Sequence, residues 1–212
     1  MTSSNDRVNM NSIRGLPISN IRVLIGALFL IAGFCSLMFI SWAWWGLFLG
    51  GILAWITVFG KDSKKAFVAP RALWLIPIGA VSYLILGMLT GLLSVQLGFE
   101  WSANPASGHL GQLALMIPFM LLGEELLGIG ILEAARNKGL SLVSSTLWSA
   151  LIFAFLHIPS YWDGSFFSTL VHVILLQGVA RIIFNFVYIK TGKSIWGSWL
   201  THMLVDFFAL SF

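Results

Sequence analysis

Long apolar runs separated by short polar turns pattern the chain from residue 23 to its end. A helix crosses the hydrocarbon core of a bilayer with about 20 apolar residues. Residues 23–59 are nearly twice that length without one charge. The run divides at Ser41 into a hairpin of two helices, 23–40 and 42–59. Further spans are expected at 72–95, 113–135, 140–158, 168–189 and 194–212. Pro159 ends the fifth and Gly139 marks the turn before it. Gly46 and Gly50, like Gly87 and Gly91, stand four apart, a spacing that lets helices approach closely.

Composition agrees with this pattern. Of 212 residues 58% are hydrophobic and 9% charged, against about 25% charged in soluble domains. The expected fold is all-α, a polytopic transmembrane helical bundle of about seven spans. Residues 1–22 read as a cytoplasmic tail and 23–212 as one transmembrane domain. A cleaved signal peptide is disfavoured, because the small-residue cleavage site is missing and a second apolar run follows at once. The net charge of +4 does not point to nucleic acid, since Lys and Arg fall at the ends of apolar runs. With the N-terminus inside and the C-terminus outside, every Lys and Arg except Arg181 lies on the cytoplasmic side, as the positive-inside rule requires. Trp42, Trp44 and Trp45 read as interface anchors, and Cys35 as a small buried hydrophobe.

Against this background Glu124 and Glu125 stand out. A charged side chain at bilayer depth costs about 2.5–3.5 kcal/mol on insertion scales, so two adjacent ones call for a function. His172, Arg181, His202 and Asp206 also lie inside expected spans, with His157 at the outer end of the fifth. Phe153 and His157 share a helix face by their spacing of four, as do His202 and Asp206. Glu from one helix, His from a second and a His–Asp pair from a third supply a general base, oxyanion donors and a carboxylate to orient an imidazole. His172 has no assigned role, and His109 reads as a solvated loop residue.

Three motifs, Glu124-Glu125, Phe153-Ala154-Phe155-Leu156-His157 and His202-Met203-Leu204-Val205-Asp206, together resemble the CAAX-protease and bacteriocin-processing family of intramembrane proteases. That family carries E-E-x-x-x-R, F-x-x-x-H and H-x-x-x-N/D on successive helices. The resemblance covers about residues 110–212, and the 190–196 stretch Lys-Thr-Gly-Lys-Ser-Ile-Trp is similar to the family's approach to its last motif. It implies an intramembrane endopeptidase acting on a membrane-associated or lipid-anchored peptide or protein, in a lipid environment. Water would be activated by Glu124 with His157, and Glu125, His202 and Asp206 would support. A zinc ion, if the chemistry uses one, would fall to Glu124, His157 and His202, although the HExxH arrangement is absent. Localisation in the plasma membrane of a bacterium is expected.

The chain departs from the pattern at one place. The family's arginine falls at Ile129, after Gly128. Arg181, an intramembrane cation, is the expected charge compensation. The rival readings are a non-catalytic membrane protein, such as a bacteriocin self-immunity factor, and transfer chemistry using the same base. A transporter is disfavoured, because the polar residues cluster in the last four spans with no repeat in the first three.

Overall fold

The computed structural model describes residue 13 and residues 15–211. Most of the expected N-terminal tail, including Arg7 and Arg14, lies outside the described residues. The described chain is all-helical. Its helices are α1 (Asn20–Phe39), α2 (Gly46–Phe59), α3 (Leu75–Gln96), the single turn α4 (Leu110–Leu113), α5 (Ile117–Asn137), α6 (Leu142–Leu156), α7 (Phe166–Lys190) and α8 (Ile195–Ser211). Each of the seven expected spans corresponds to one of the long helices. Three of them, α1, α3 and α7, are long and apolar enough to cross a membrane.

Local chemistry sets the ends. Ser19, Ser141 and Ser165 cap α1, α6 and α7 by accepting a hydrogen bond from a backbone N–H of the first turn. Pro118 sits in the first turn of α5, where its missing N–H costs nothing. The α1–α2 break is broader than Ser41 alone: Ile40 to Trp45 form the turn, and α2 begins at Gly46. Trp42 is exposed there, whereas Trp44 packs edge-on against Phe119 of α5. Cys35 is only partly buried.

The glycine spacing has two outcomes. A Cβ on Gly50 would lie 2.6 Å from the Phe29 carbonyl oxygen, and one on Gly33 would lie 2.7 Å from that of Gly46, so α1 and α2 touch backbone to backbone. On α5, a Cβ on Gly123 would lie 2.7 Å from the Phe48 nitrogen, which brings α2 against the glutamate pair. Gly91, by contrast, has nothing within 4 Å of a Cβ and Gly87 only the tip of Leu176, so the second pair is not a packing seam. The α1–α2 hairpin thus packs on α5, while α3 packs on α7 and α8.

Within α7 the residues Ile174–Gly178 form a π-helical turn. Such turns insert one residue into an α-helix and are frequent at functional sites. His172 and Arg181, nine residues apart, would stand about two and a half turns apart on a regular helix, on opposite faces. The inserted residue rotates them towards one another, and both are buried.

Candidate active site

Glu124, His157, His202 and Asp206 line one cavity of about 540 Å³ between α5, α6, α7 and α8. Their convergence follows from where the helices begin. Because α5 starts at Ile117, Glu124 lies in its first half, nearer the end that neighbours His157. His157 is the C-cap of the short helix α6. On α8 the one-turn spacing of His202 and Asp206 points both inward, and His202 Nε2 lies 3.7 Å from Asp206 Oδ1.

The two glutamates have different surroundings. Glu125 is fully buried and all its acceptor capacity is used. Oε1 accepts from Arg181 Nη1 at 2.9 Å and from His202 Nδ1 at 2.9 Å. Oε2 accepts from Arg181 Nη2 at 2.8 Å and from the Ser198 hydroxyl. Glu124 forms no such bonds among the described residues; its side chain is 20% exposed, and its nearest charged neighbour is His202 Nε2 at 3.8 Å. One carboxylate is structurally committed and the other is free to act.

Hydrogen bonding also fixes the tautomers. His157 Nδ1 lies 2.7 Å from the Phe153 carbonyl oxygen. A carbonyl only accepts, so Nδ1 carries the proton and the neutral ring keeps its Nε2 lone pair. His202 Nδ1 likewise donates to Glu125, which turns Nε2 towards Glu124 and Asp206.

Arg181, fully buried, meets Glu125 as a two-pronged fork. Its guanidinium lies between the rings of Phe153 at 5.5 Å and Phe184 at 5.4 Å, which offer it cation–π contacts. Gly128 makes room for it: a Cβ there would lie 2.6 Å from Arg181 Nη1 and 2.7 Å from its Cδ. Ile129, where the motif pattern has an arginine, is instead fully buried in a cluster with Trp55, Leu126 and Tyr188. A cation from α7 occupies the space beside Gly128 and pairs with Glu125.

Other polar residues in this interior carry little sequence signal. Ser149 donates to the Gly128 carbonyl and accepts from Asn185, and Ser198 joins Arg181 to Glu125. Serine and asparagine have too many ordinary roles to be singled out. Glu133, which the reading of the spans passed over beside the glutamate pair, is buried on α5. It bonds Lys193 Nζ at 2.8 Å and Tyr188 Oη at 3.0 Å, joining α5 to the end of α7 and to the turn that follows it. His172 and Tyr161 line the cavity, although no motif includes them.

No group of three His, Cys, Asp or Glu side chains among the described residues is arranged to hold a metal ion. His157 and His202 each commit Nδ1 to a protein acceptor, leaving one ring nitrogen apiece. Glu124, His157 and His202 share a cavity without forming a three-ligand set among the described residues.

Residues 106–208 match the family described as Type II CAAX prenyl endopeptidase Rce1-like. That stretch, just under half of the chain, is similar to this family. It contains all three motifs and Arg181. No curated protein and no solved structure matches the chain. The match points to a membrane endopeptidase, in a lipid setting and with peptide substrates.

Proposed function

We propose that the protein is an intramembrane endopeptidase in which Glu124 and His157 activate water, Glu125 positions His202, and Arg181 holds Glu125 in place. The observation that carries this reading is the asymmetry of the glutamate pair, with Glu125 saturated by four donors and Glu124 unbonded in the cavity.

A water in the cavity has two protons to place, and two acceptors are available, the Glu124 carboxylate and His157 Nε2. With both protons so directed, an oxygen lone pair faces the scissile carbonyl. On attack the water proton passes to Glu124, a C–O bond forms, and charge develops on the carbonyl oxygen. His202, carrying a proton on Nε2, is the cationic donor for that charge, oriented by Glu125 through Nδ1 and balanced by Asp206. Glu124 then returns its proton to the leaving nitrogen as the C–N bond breaks. General acid–base transfer of this kind contributes about 10²–10⁴-fold.

The substrate in this reading is a membrane-associated or lipid-anchored peptide. The cavity's apolar wall, including Phe34, Leu47, Leu127 and Phe153, suits a chain presented from lipid. The helices form a seven-span bundle with the N-terminus inside, in the plasma membrane of a bacterium. The missing arginine at 129 is the feature that favours a non-catalytic immunity factor, and the Arg181–Glu125 pair weakens that ground. Comparative proteomics of a Glu124→Gln strain against wild type tests the proposal. An uncut membrane peptide accumulates in the variant, and the purified variant folds but loses cleavage by about 10²–10⁴-fold. Cleavage at the wild-type rate by that variant refutes it.

A further inference from the structure

The segment between α3 and α4, residues 97–109, lies over the cavity: Ser102, Ala103, Asn104, Pro105 and Ala106 line it. It has a glycine near each end, Gly98 (φ +72°) and Gly108 (φ +78°), and among the described residues neither has an atom within 4 Å of where a Cβ would sit. Both are free to rotate, as hinge positions are. Between them Ala106 packs against the Ile117, Leu121 and Leu210 cluster, and the rest of the fastening is one aromatic stack and one hydrogen bond. Trp101 stacks on His172 with centroids 4.6 Å apart and planes 4° from parallel. Phe99 stacks on the outer face of Trp101 and also meets Phe167. Ser102 donates one hydrogen bond of 3.2 Å to the Trp162 carbonyl.

The stack leaves two polar atoms unpaired at one place. Trp101 Nε1 and His172 Nδ1 are both covered and have no hydrogen-bond partner among the described residues. His172 is 3% exposed and lines the cavity. Buried polar groups are ordinarily satisfied, so two orphans in one aromatic stack mark a contact that is costly to keep closed. An indole N–H only donates, and His172 Nδ1 donates in its protonated tautomer. Trp101 Nε1 lacks an acceptor, and so does His172 Nδ1 in the tautomer that carries its proton there.

We infer that residues 97–109 form a lid latched by Trp101 on His172, and that an extended peptide opens it by supplying main-chain carbonyl oxygens to these two N–H groups. His172, which lines the cavity, and Trp101 stacked on it would then be substrate-binding residues. This inference rests on the endopeptidase reading for its ligand; lid opening itself does not.

The test places a single cysteine in the cavity of the full-length protein, Val205→Cys in a Cys35→Ser background, and follows its alkylation by a maleimide in detergent micelles. Breaking the latch from either side, with Trp101→Ala or His172→Leu, raises the rate about two- to tenfold, the range of one aromatic pair. His172→Phe keeps the stack and leaves the rate near the parent's. Unchanged rates in both Trp101→Ala and His172→Leu overturn the lid, and the pair of variants covers the failure of either to fold. Once the accumulating peptide is in hand, His172→Phe raises KM for it with kcat held, and an unchanged KM overturns the binding role. Failure of the protease assignment shows separately, as cleavage unaffected by Glu124→Gln.

Discussion

Replacing Arg181 by Met removes both prongs of the fork and leaves Glu125 buried with only Ser198 and His202 as donors. Breaking a buried ion pair by deleting one partner costs about 3–5 kcal/mol, because the charge left behind has lost both water and counter-charge. Glu125→Gln does the same to Arg181, whose two remaining aromatic neighbours do not neutralise it. Independent losses would sum to about 6–10 kcal/mol, comparable to the whole stability of a typical domain. A true pair behaves differently. In the double variant no uncompensated charge remains, so it is more stable than either single variant. The assay is unfolding of the purified proteins in one detergent, followed by helical circular dichroism, with the four proteins closing a double-mutant cycle. A cost below about 1 kcal/mol for either single substitution, or a double variant that loses the sum of the two, refutes the buried pair.

Other consequences are tested one at a time. Gly128→Ala places a Cβ 2.6 Å from Arg181 Nη1 and should destabilise by about 1–3 kcal/mol, as overpacking does; the same change in the Arg181→Met protein, where the fork is gone, should cost clearly less in the same melts. The glycine pairs should separate: Gly50→Ala clashes with the Phe29 carbonyl and destabilises, while Gly91→Ala, in open space, stabilises by up to about 1 kcal/mol through helix propensity. In the turn before α7, Asp163 loses some solvent, but hydrogen bonds from Ser168, the Ser165 backbone and Thr169 outweigh that and hold it below its ordinary carboxylate value. A depressed folded value means its contribution is present above the ordinary value of 3.8 and is lost as pH falls through the folded one. Melting curves of wild type and Asp163→Asn should therefore differ most at neutral pH and converge in acid; a gap that persists unchanged into acid would exclude the charge as its cause.

The seven long helices were legible in the sequence because lipid-facing and buried positions in such a bundle are both apolar, so each helix reads as an unbroken run ended by Ser, Pro, Gly or Lys. The residues of the three motifs were legible because ionisable side chains are rare in such runs, and spacings of three or four put them on one face. The separate fates of Glu124 and Glu125 were not legible. Adjacent residues differ by about 100° around a helix, and only the positions of α7 and α8 determine which of them meets Arg181 and His202. The same holds for Gly128, a departure when read alone and the receptacle for a guanidinium once α7 is in place. The place of His172 at the cavity was not legible for a further reason: a regular helix would set it opposite Arg181, and the π turn between them has no signature in hydrophobic periodicity. The sequence alone determined how many long apolar helices form and which residues are too polar to be there without a role. Tertiary structure decided which carboxylate is bound and which is free, because hydrogen bonds between helices depend on rotation and depth, and a pattern along one chain specifies neither.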